Sequence, residues 1–253
     1  MPGFLVLPED VRGDILILRD QEAHHLARVR RLRPDDRIEV IDGLGHCYQV
    51  RVAAVARAEV HCEILGCRDE CGENPVQLSL APALVKGARF DSIVEKATEI
   101  GVGCIAPVIA DRGVVQPGTV NKIERWRRLI RAAAKQCGRS RLPALYPPAP
   151  LEVVLDCLRR RSDFLLMASP QERGQEPGPQ LRECVAAARP MRPGLLIGPE
   201  GGFSGAEREK AVKLGATVFS WGERTMRTDT ASCVLAALVL HEAEQAQVTG
   251  RRD

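Results

Sequence analysis

Aromatic side chains are scarce in these 253 residues: two Trp, two Tyr and five Phe, or 4% of the chain. That supply is too thin for a broad platform on which successive bases stack, so any nucleic acid must be held mainly by charge and shape. Net charge is also low, with 36 Lys and Arg against 33 Asp and Glu and a formal +3, so an anionic partner must be bound locally. No run reaches the roughly 18 apolar residues of a membrane span, and MPGFLVLPED has neither a cationic start nor a signal-length apolar stretch. The expectation is a soluble, cytoplasmic protein without a membrane partner. Nine cysteines make an odd set with no secretion signal, which argues against a disulfide framework. His61, Cys62, Cys67 and Cys71 lie close together but contain no C-x-x-C pair and no second half-site, so no metal is expected. Neither a P-loop nor a G-x-G-x-x-G turn is present, which counts against triphosphates and dinucleotides.

What is present is enough for a real core: 45% of residues are hydrophobic, and the length allows one large domain or two modest ones at about 100 to 200 residues each. Residues 1–72 are short and strand-like, at Phe4 to Leu7, Ile15 to Leu18, Arg37 to Ile41 and Cys47 to Val60, with Gln21 to Val29 as the one short helical candidate. This reads as a small β-barrel, followed by a polar linker over Arg68 to Pro75. From residue 73 to 253 strands alternate with helices. Strands are expected at Leu78 to Leu84, Ile105 to Ala110, Phe164 to Ala168, Leu195 to Ile197 and Val218 to Trp221. Helices are expected over Phe90 to Ile100, with Gly101 as a left-handed stop, then Ile123 to Cys137, Leu151 to Leu158, from Ser204 onward, and Thr230 to Glu244. The alternation implies an α/β domain with a parallel sheet covered on both faces. Gln171 to Gln180, rich in Gly, Pro and Glu, reads as a mobile surface loop.

Three segments carry chemistry. Lys122 to Arg141 holds Lys122, Arg125, Arg127, Arg128, Arg131, Lys135, Arg139 and Arg141 against Glu124 alone. Phosphate neutralisation is the usual reason to keep such a run, although long cationic side chains also snorkel around an ordinary apolar stripe. Arg28, Arg30, Arg31 and Arg33 add a second basic spot. The loop Gly198-Pro199-Glu200-Gly201-Gly202-Phe203-Ser204 lies at the carboxyl end of a strand, where ligands of open α/β sheets bind. Its glycines let the backbone approach a ligand closely, and Ser204 with Glu207 has the spacing of a capping box. Finally, Trp221 to Ser232 follows the last strand. Thr228, Asp229 or Thr230 can cap the helix that follows, whereas Arg224 and Arg227 suggest a site that receives something anionic or becoming so.

Leu84 to Phe90, Glu95 to Val102, Arg131 to Arg139 with Gln136, Ile197 to Ser204, and Arg224 to Ala231 together resemble the ribosomal RNA small-subunit methyltransferase E family, in order along nearly the whole chain. His24-His25 and Asp42-Gly43 resemble its N-terminal domain. Departures are small: Trp221 stands where Leu is usual, Met226 where Ile or Leu is frequent, and Asp229 where Glu is usual. The resemblance implies a PUA-like, RNA-binding β-barrel followed by a SPOUT α/β domain with a trefoil knot, paired as a homodimer. It also implies S-adenosylmethionine as cofactor, and as partner 16S ribosomal RNA or the 30S subunit, not DNA. The cofactor would lie against Met167, Ala168, Ser169, Ile197, Gly198, Pro199, Glu200, Gly201, Gly202, Trp221, Gly222, Arg224, Thr225, Met226 and Arg227. RNA would meet Arg28, Arg30, Arg31, Lys86, Arg89, Arg131, Lys135, Gln136 and Arg139.

The implied reaction is methylation of N3 of a uridine in the decoding region. The N3 imide is a poor nucleophile until it loses its proton, and the anion then spreads onto O2 and O4. A base plus a cation answers both needs. Arg227 is the candidate cation, and Glu200 or Asp229 the candidate proton acceptor. The competing readings are an RNA-binding protein without catalysis, which leaves the glycine loop unexplained, a nucleotide-dependent enzyme on a doubly wound sheet, and a methyltransferase of the same fold acting on another base or RNA.

Overall fold

The computed structural model describes residues 3–26, 31–56, 58–113, 120–169, 192–220 and 224–249. Contacts divide the chain into two compact units: Met1–Glu73 with Ile130–Leu142, and Asn74–Leu129 with Pro143–Asp253. Ile130–Leu142, expected with the second domain, thus makes its contacts in the first.

In the first unit β1 (Phe4–Leu5), β2 (Val11–Arg12), β3 (Ile15–Arg19), β4 (Arg37–Ile41), β5 (His46–Val55) and β6 (Glu59–Asp69) form one sheet in the order β1-β4-β5-β6-β3-β2. Only β1 with β4 is parallel. Side chains alternate between faces along a strand, so Leu16 and Leu18, Val50 and Val52, and Val60 and Cys62 turn inward together and meet Phe4, Val40 and Leu26 in one core. The Cys47 to Val60 stretch, read as one strand-like pattern, is a hairpin closed by the Ala56 N–H donating to the Glu59 carbonyl at 2.9 Å. Its second strand runs on to Asp69, into the expected linker. The helix expected over Gln21 to Val29 forms as α1 (Asp20–His24), and its last residues lie outside those described.

Ile130–Leu142 is held to this unit by apolar packing and by charge. Ala134 is buried with Ile41 and Cys47. Lys135 pairs with Glu22, Arg139 with Glu73, and Arg141 with Glu70.

The second unit contains β7 (Ser79–Pro82), β8 (Cys104–Ile105), β9 (Val108–Ile109), β10 (Ala144–Leu145), β11 (Ala149–Pro150), β12 (Phe164–Ala168), β13 (Pro193–Ile197) and β14 (Ala216–Phe219). Its helices are α2 (Ala88–Ile100), α4 (Leu151–Arg161), α5 (Gly205–Lys213), α6 (Thr228–Thr249) and the first turns of α3 (Val120–Cys137). The sheet runs β10-β8-β7-β13-β12-β14 and every pairing is parallel. The single strand expected over Ile105 to Ala110 is two, β8 and β9, because Pro107 between them has no N–H for the ladder. The last strand ends at Phe219, before Trp221, which lies outside the described residues, as does the loop read at Gln171 to Gln180.

Leu195, Leu196 and Ile197 are all buried, and since successive residues face opposite ways, both faces of β13 are covered. One cover is α4, whose Leu151, Val154, Leu155 and Leu158 pack with Ala81, Met167, Leu196 and Phe203. On β7 and β13 also lies α6, with α2 against it. Gly101 ends α2 in the left-handed region at φ 99°, as expected.

Candidate active site

The glycine loop leaves the carboxyl end of β13 and enters α5. Phe203 is buried in the core beneath it, and the Gly202 N–H donates to the Pro199 carbonyl at 2.8 Å, closing a tight turn. Gly202 sits at φ +68°, where an L side chain is strained, and a Cβ on Gly198 would come within 3.2 Å of the Phe203 backbone nitrogen. Ser204 caps α5 with both capping-box bonds made: the Glu207 N–H donates to Ser204 Oγ at 3.2 Å, and Glu207 Oε2 accepts from the Ser204 N–H at 2.7 Å.

Two residues not singled out from the sequence, Asp111 and Arg112, brace this loop. Glu207, 7% exposed, also accepts from the Asp111 N–H at 2.9 Å, and Ser204 Oγ hydrogen-bonds Asp111 Oδ2 at 2.7 Å. Arg112 Nη1 donates to the Gly201 carbonyl at 3.0 Å. Asp111 and Arg112 lie 89 to 96 residues away along the chain, a separation that no local pattern exposes.

A second wall comes from the start of α6. Thr228 Oγ1 donates to the Gly198 carbonyl at 3.1 Å, and Ser232 Oγ donates to the Thr228 carbonyl at 2.7 Å. The two loops thereby meet in a cleft at the carboxyl edge of the sheet. Ala168, Ser169, Ile197, Gly198, Pro199, Glu200, Gly202, Arg224, Thr225 and Met226 line it, all expected from the sequence. Ser220, Thr228, Ala231 and Leu235 line it too and were missed. The signal was there: positions 228, 231 and 235 share one face of a helix.

Other expected residues fall elsewhere. Met167 is fully buried in the core and Gly201 turns away against Arg112, so neither is part of the cleft wall, while Arg227 is exposed just outside the wall. Asp229 is half-buried, with Oδ1 enclosed and unpartnered, and is likewise not on the wall. Trp221 and Gly222 lie outside the described residues. Glu200 is 42% exposed at its side chain, and the carboxylate is paired with Arg89 from the first turn of α2.

The residues expected to meet RNA divide as well. Lys86, Arg131 and Gln136 are exposed, as is Arg31, while Arg28 and Arg30 lie outside the described residues. Arg89 is tied to Glu200 and Lys135 to Glu22. Arg139 is a correction: at 3% exposure, with Nη2 2.7 Å from Glu73 Oε2, its guanidinium is spent inside the first unit and leaves no surface for a phosphate.

A parallel sheet whose carboxyl edge carries a glycine-rich loop and a cationic loop around one cleft is the arrangement of an α/β domain that binds a small ligand at that edge. The chain belongs to the RNA methyltransferase family: the RNA methyltransferase domain matches residues 72–240, and the RNA methyltransferase PUA domain matches residues 18–65. The ribosomal RNA small subunit methyltransferase E of Synechocystis sp. is 29% identical over 235 residues, covering 93% of this chain and 76% of that protein. The Neisseria gonorrhoeae enzyme of the same name, solved bound to S-adenosylmethionine, superposes with a TM-score of 0.80 at 26% identity over 95% of this chain and 97% of that one. A Legionella pneumophila protein solved in complex with the same cofactor gives 0.77 at 25% identity over 95% and 97%. The resemblance read from the glycine loop and the Arg224 to Ala231 stretch is therefore one of true family membership.

Proposed function

We propose that this RNA methyltransferase uses S-adenosylmethionine to methylate N3 of a uridine in the decoding region of 16S ribosomal RNA. The observation that carries the reading is the cleft in which the Gly198 to Gly202 loop and the start of α6 are joined by the Thr228 bond. The residues present fit the cofactor: glycine backbone permits close approach, Ile197, Met226 and Leu235 offer apolar wall, and Arg224 can pair a carboxylate. When bound, S-adenosylmethionine supplies an electrophilic methyl group on a sulfonium.

The chain's own contribution is alignment and proton handling. Glu200, on the cleft wall, accepts the imide proton, directly or through water, and Arg89 fixes its orientation. Asp229 is the second candidate acceptor. Arg227, exposed beside the cleft, stabilises the negative charge that spreads onto O2 and O4. Lys86, Arg31 and Arg131, with Arg28 and Arg30, hold the RNA backbone. The remaining parts of the reading are closure of the N-terminal sheet into a PUA-like barrel, threading of the C-terminal chain into a trefoil knot, and pairing as a homodimer. They are supported by family membership.

The test is mass spectrometry of 16S RNA from cells lacking the gene, with saturable binding of S-adenosylmethionine to the pure protein measured by calorimetry. One missing uridine methyl that the gene restores is the expected result. Unchanged RNA methylation overturns the substrate assignment, and absence of saturable heat overturns the cofactor.

A further inference from the structure

Arg160, Arg161 and Arg192 converge on a cavity of about 270 Å³ with Gln77, Ser79 and Cys104 on its wall. Arg160 and Arg161 end α4, Arg192 directly precedes β13, and Ser79 and Cys104 open β7 and β8. The cavity therefore lies at the amino edge of the parallel sheet, opposite the cleft described above.

Its charge is only partly compensated. Arg192 is paired with Asp163, Nη2 to Oδ1 at 2.7 Å. Arg161 donates to the Tyr146 hydroxyl at 2.8 Å and stacks over that ring at 5.6 Å, a neutral partner that leaves the positive charge in place. Arg160 is exposed and has no carboxylate partner among the described residues. Basic residues at a helix C-terminus answer the helix dipole, and Arg159 to Arg161 would do so alone. That role does not require a third guanidinium from a different segment to face the same space. Several planar donors around one polar cavity match the oxygen geometry of a phosphate group.

We propose that this cavity is a phosphate-binding site, and that its occupant is a backbone phosphodiester of the RNA substrate. The choice of RNA rests on the function proposed above; the same chemistry would also accept a free phosphate compound. Binding there would anchor the RNA at a point far from the reacting base, adding affinity and register without touching the chemistry.

The experiment compares the parent with Arg160→Ala, Arg160→Glu and Arg160→Lys, since Arg160 is exposed and makes no ion pair among the described residues. Binding of a 16S RNA fragment is measured over a salt series, and inorganic phosphate is titrated against the unfolding temperature. With RNA as occupant, Arg160→Ala weakens binding roughly five-fold and makes the log K against log salt slope shallower by about one, Arg160→Glu weakens it further, and Arg160→Lys restores most of it. If RNA binding is unchanged but phosphate no longer raises the unfolding temperature of Arg160→Ala, the site stands and its occupant is a free phosphate compound. If neither readout moves, the site is overturned. S-adenosylmethionine affinity is followed in parallel: its absence in the parent strikes the proposed function, while the phosphate arm still judges the cavity.

Discussion

Arg139 and Glu73 form a buried ion pair, 2.7 Å from Nη2 to Oε2, with their side chains 3% and 7% exposed. Glu73 also accepts the backbone N–H of Arg141 at 2.7 Å, so one carboxylate fastens the end of the basic stretch to the first unit. Two charges out of water stabilise each other only while both are present. Arg139→Met is expected to destabilise the protein by about 3 kcal/mol, because Glu73 is left buried and uncompensated. Urea unfolding measures the loss. RNA affinity per folded molecule should stay at the parent value, and a selective loss of RNA binding with normal stability would return Arg139 to the RNA-facing set.

Gly202 occupies φ +68° in the turn closed on Pro199. Gly202→Ala is expected to cost about 1 kcal/mol of stability from backbone strain and to weaken S-adenosylmethionine binding several-fold as the loop shifts. Calorimetric titration beside thermal unfolding separates the two effects. Parent-like affinity would show that the loop's conformation does not matter to the cofactor.

Glu200 and Arg227 are expected to separate in kinetics. Arg227→Ala should lower the methyl-transfer rate about a hundred-fold with cofactor affinity unchanged, as removal of a charge-stabilising donor does. Glu200→Gln should lower the rate and remove the acid limb of its pH profile. A profile of unchanged shape would shift the proton-accepting role to Asp229.

In the first unit the His46 imidazole hydrogen-bonds Asp42, Nδ1 to Oδ2 at 2.6 Å. That bond and the carboxylate's charge raise the imidazole above its ordinary value of 6.5. Burial pushes the Asp42 carboxyl up, but bonds from the His46 side chain and from the Leu44 and His46 N–H groups outweigh it, and the carboxyl lies below its ordinary 3.8. Stability from His46 is therefore fully present below about pH 6.5 and lost as pH rises through the raised folded value. That from Asp42 is present above 3.8 and lost as pH falls through its lowered one. The stability difference between the parent and His46→Ala should shrink from pH 6 to pH 8 in denaturant unfolding, and a constant difference would remove the pair from the pH response.

Local chemistry was legible in the sequence wherever a rule acts within a few residues. The Ser204 and Glu207 capping box, the left-handed stop at Gly101, the strand over Phe164–Ala168 and the loop from Gly198 to Gly202 all form as read. Each depends on the conformational limits of its own residues, which the chain carries into any fold. Most of the cleft wall followed, because the strand ends place it.

Tertiary structure alone decided which charges remain available. Lys122 to Arg141 reads as one basic run, yet Lys135, Arg139 and Arg141 are claimed by Glu22, Glu73 and Glu70, and Arg125 by Asp91, while Arg128 and Arg131 stay exposed. Arg89 was likewise taken by Glu200 across 111 residues of sequence, and the glycine loop was braced by Asp111 and Arg112 from a distant turn. An ion pair falls off with distance in space and is blind to distance along the chain, so composition shows the charges but only the folded backbone selects their partners.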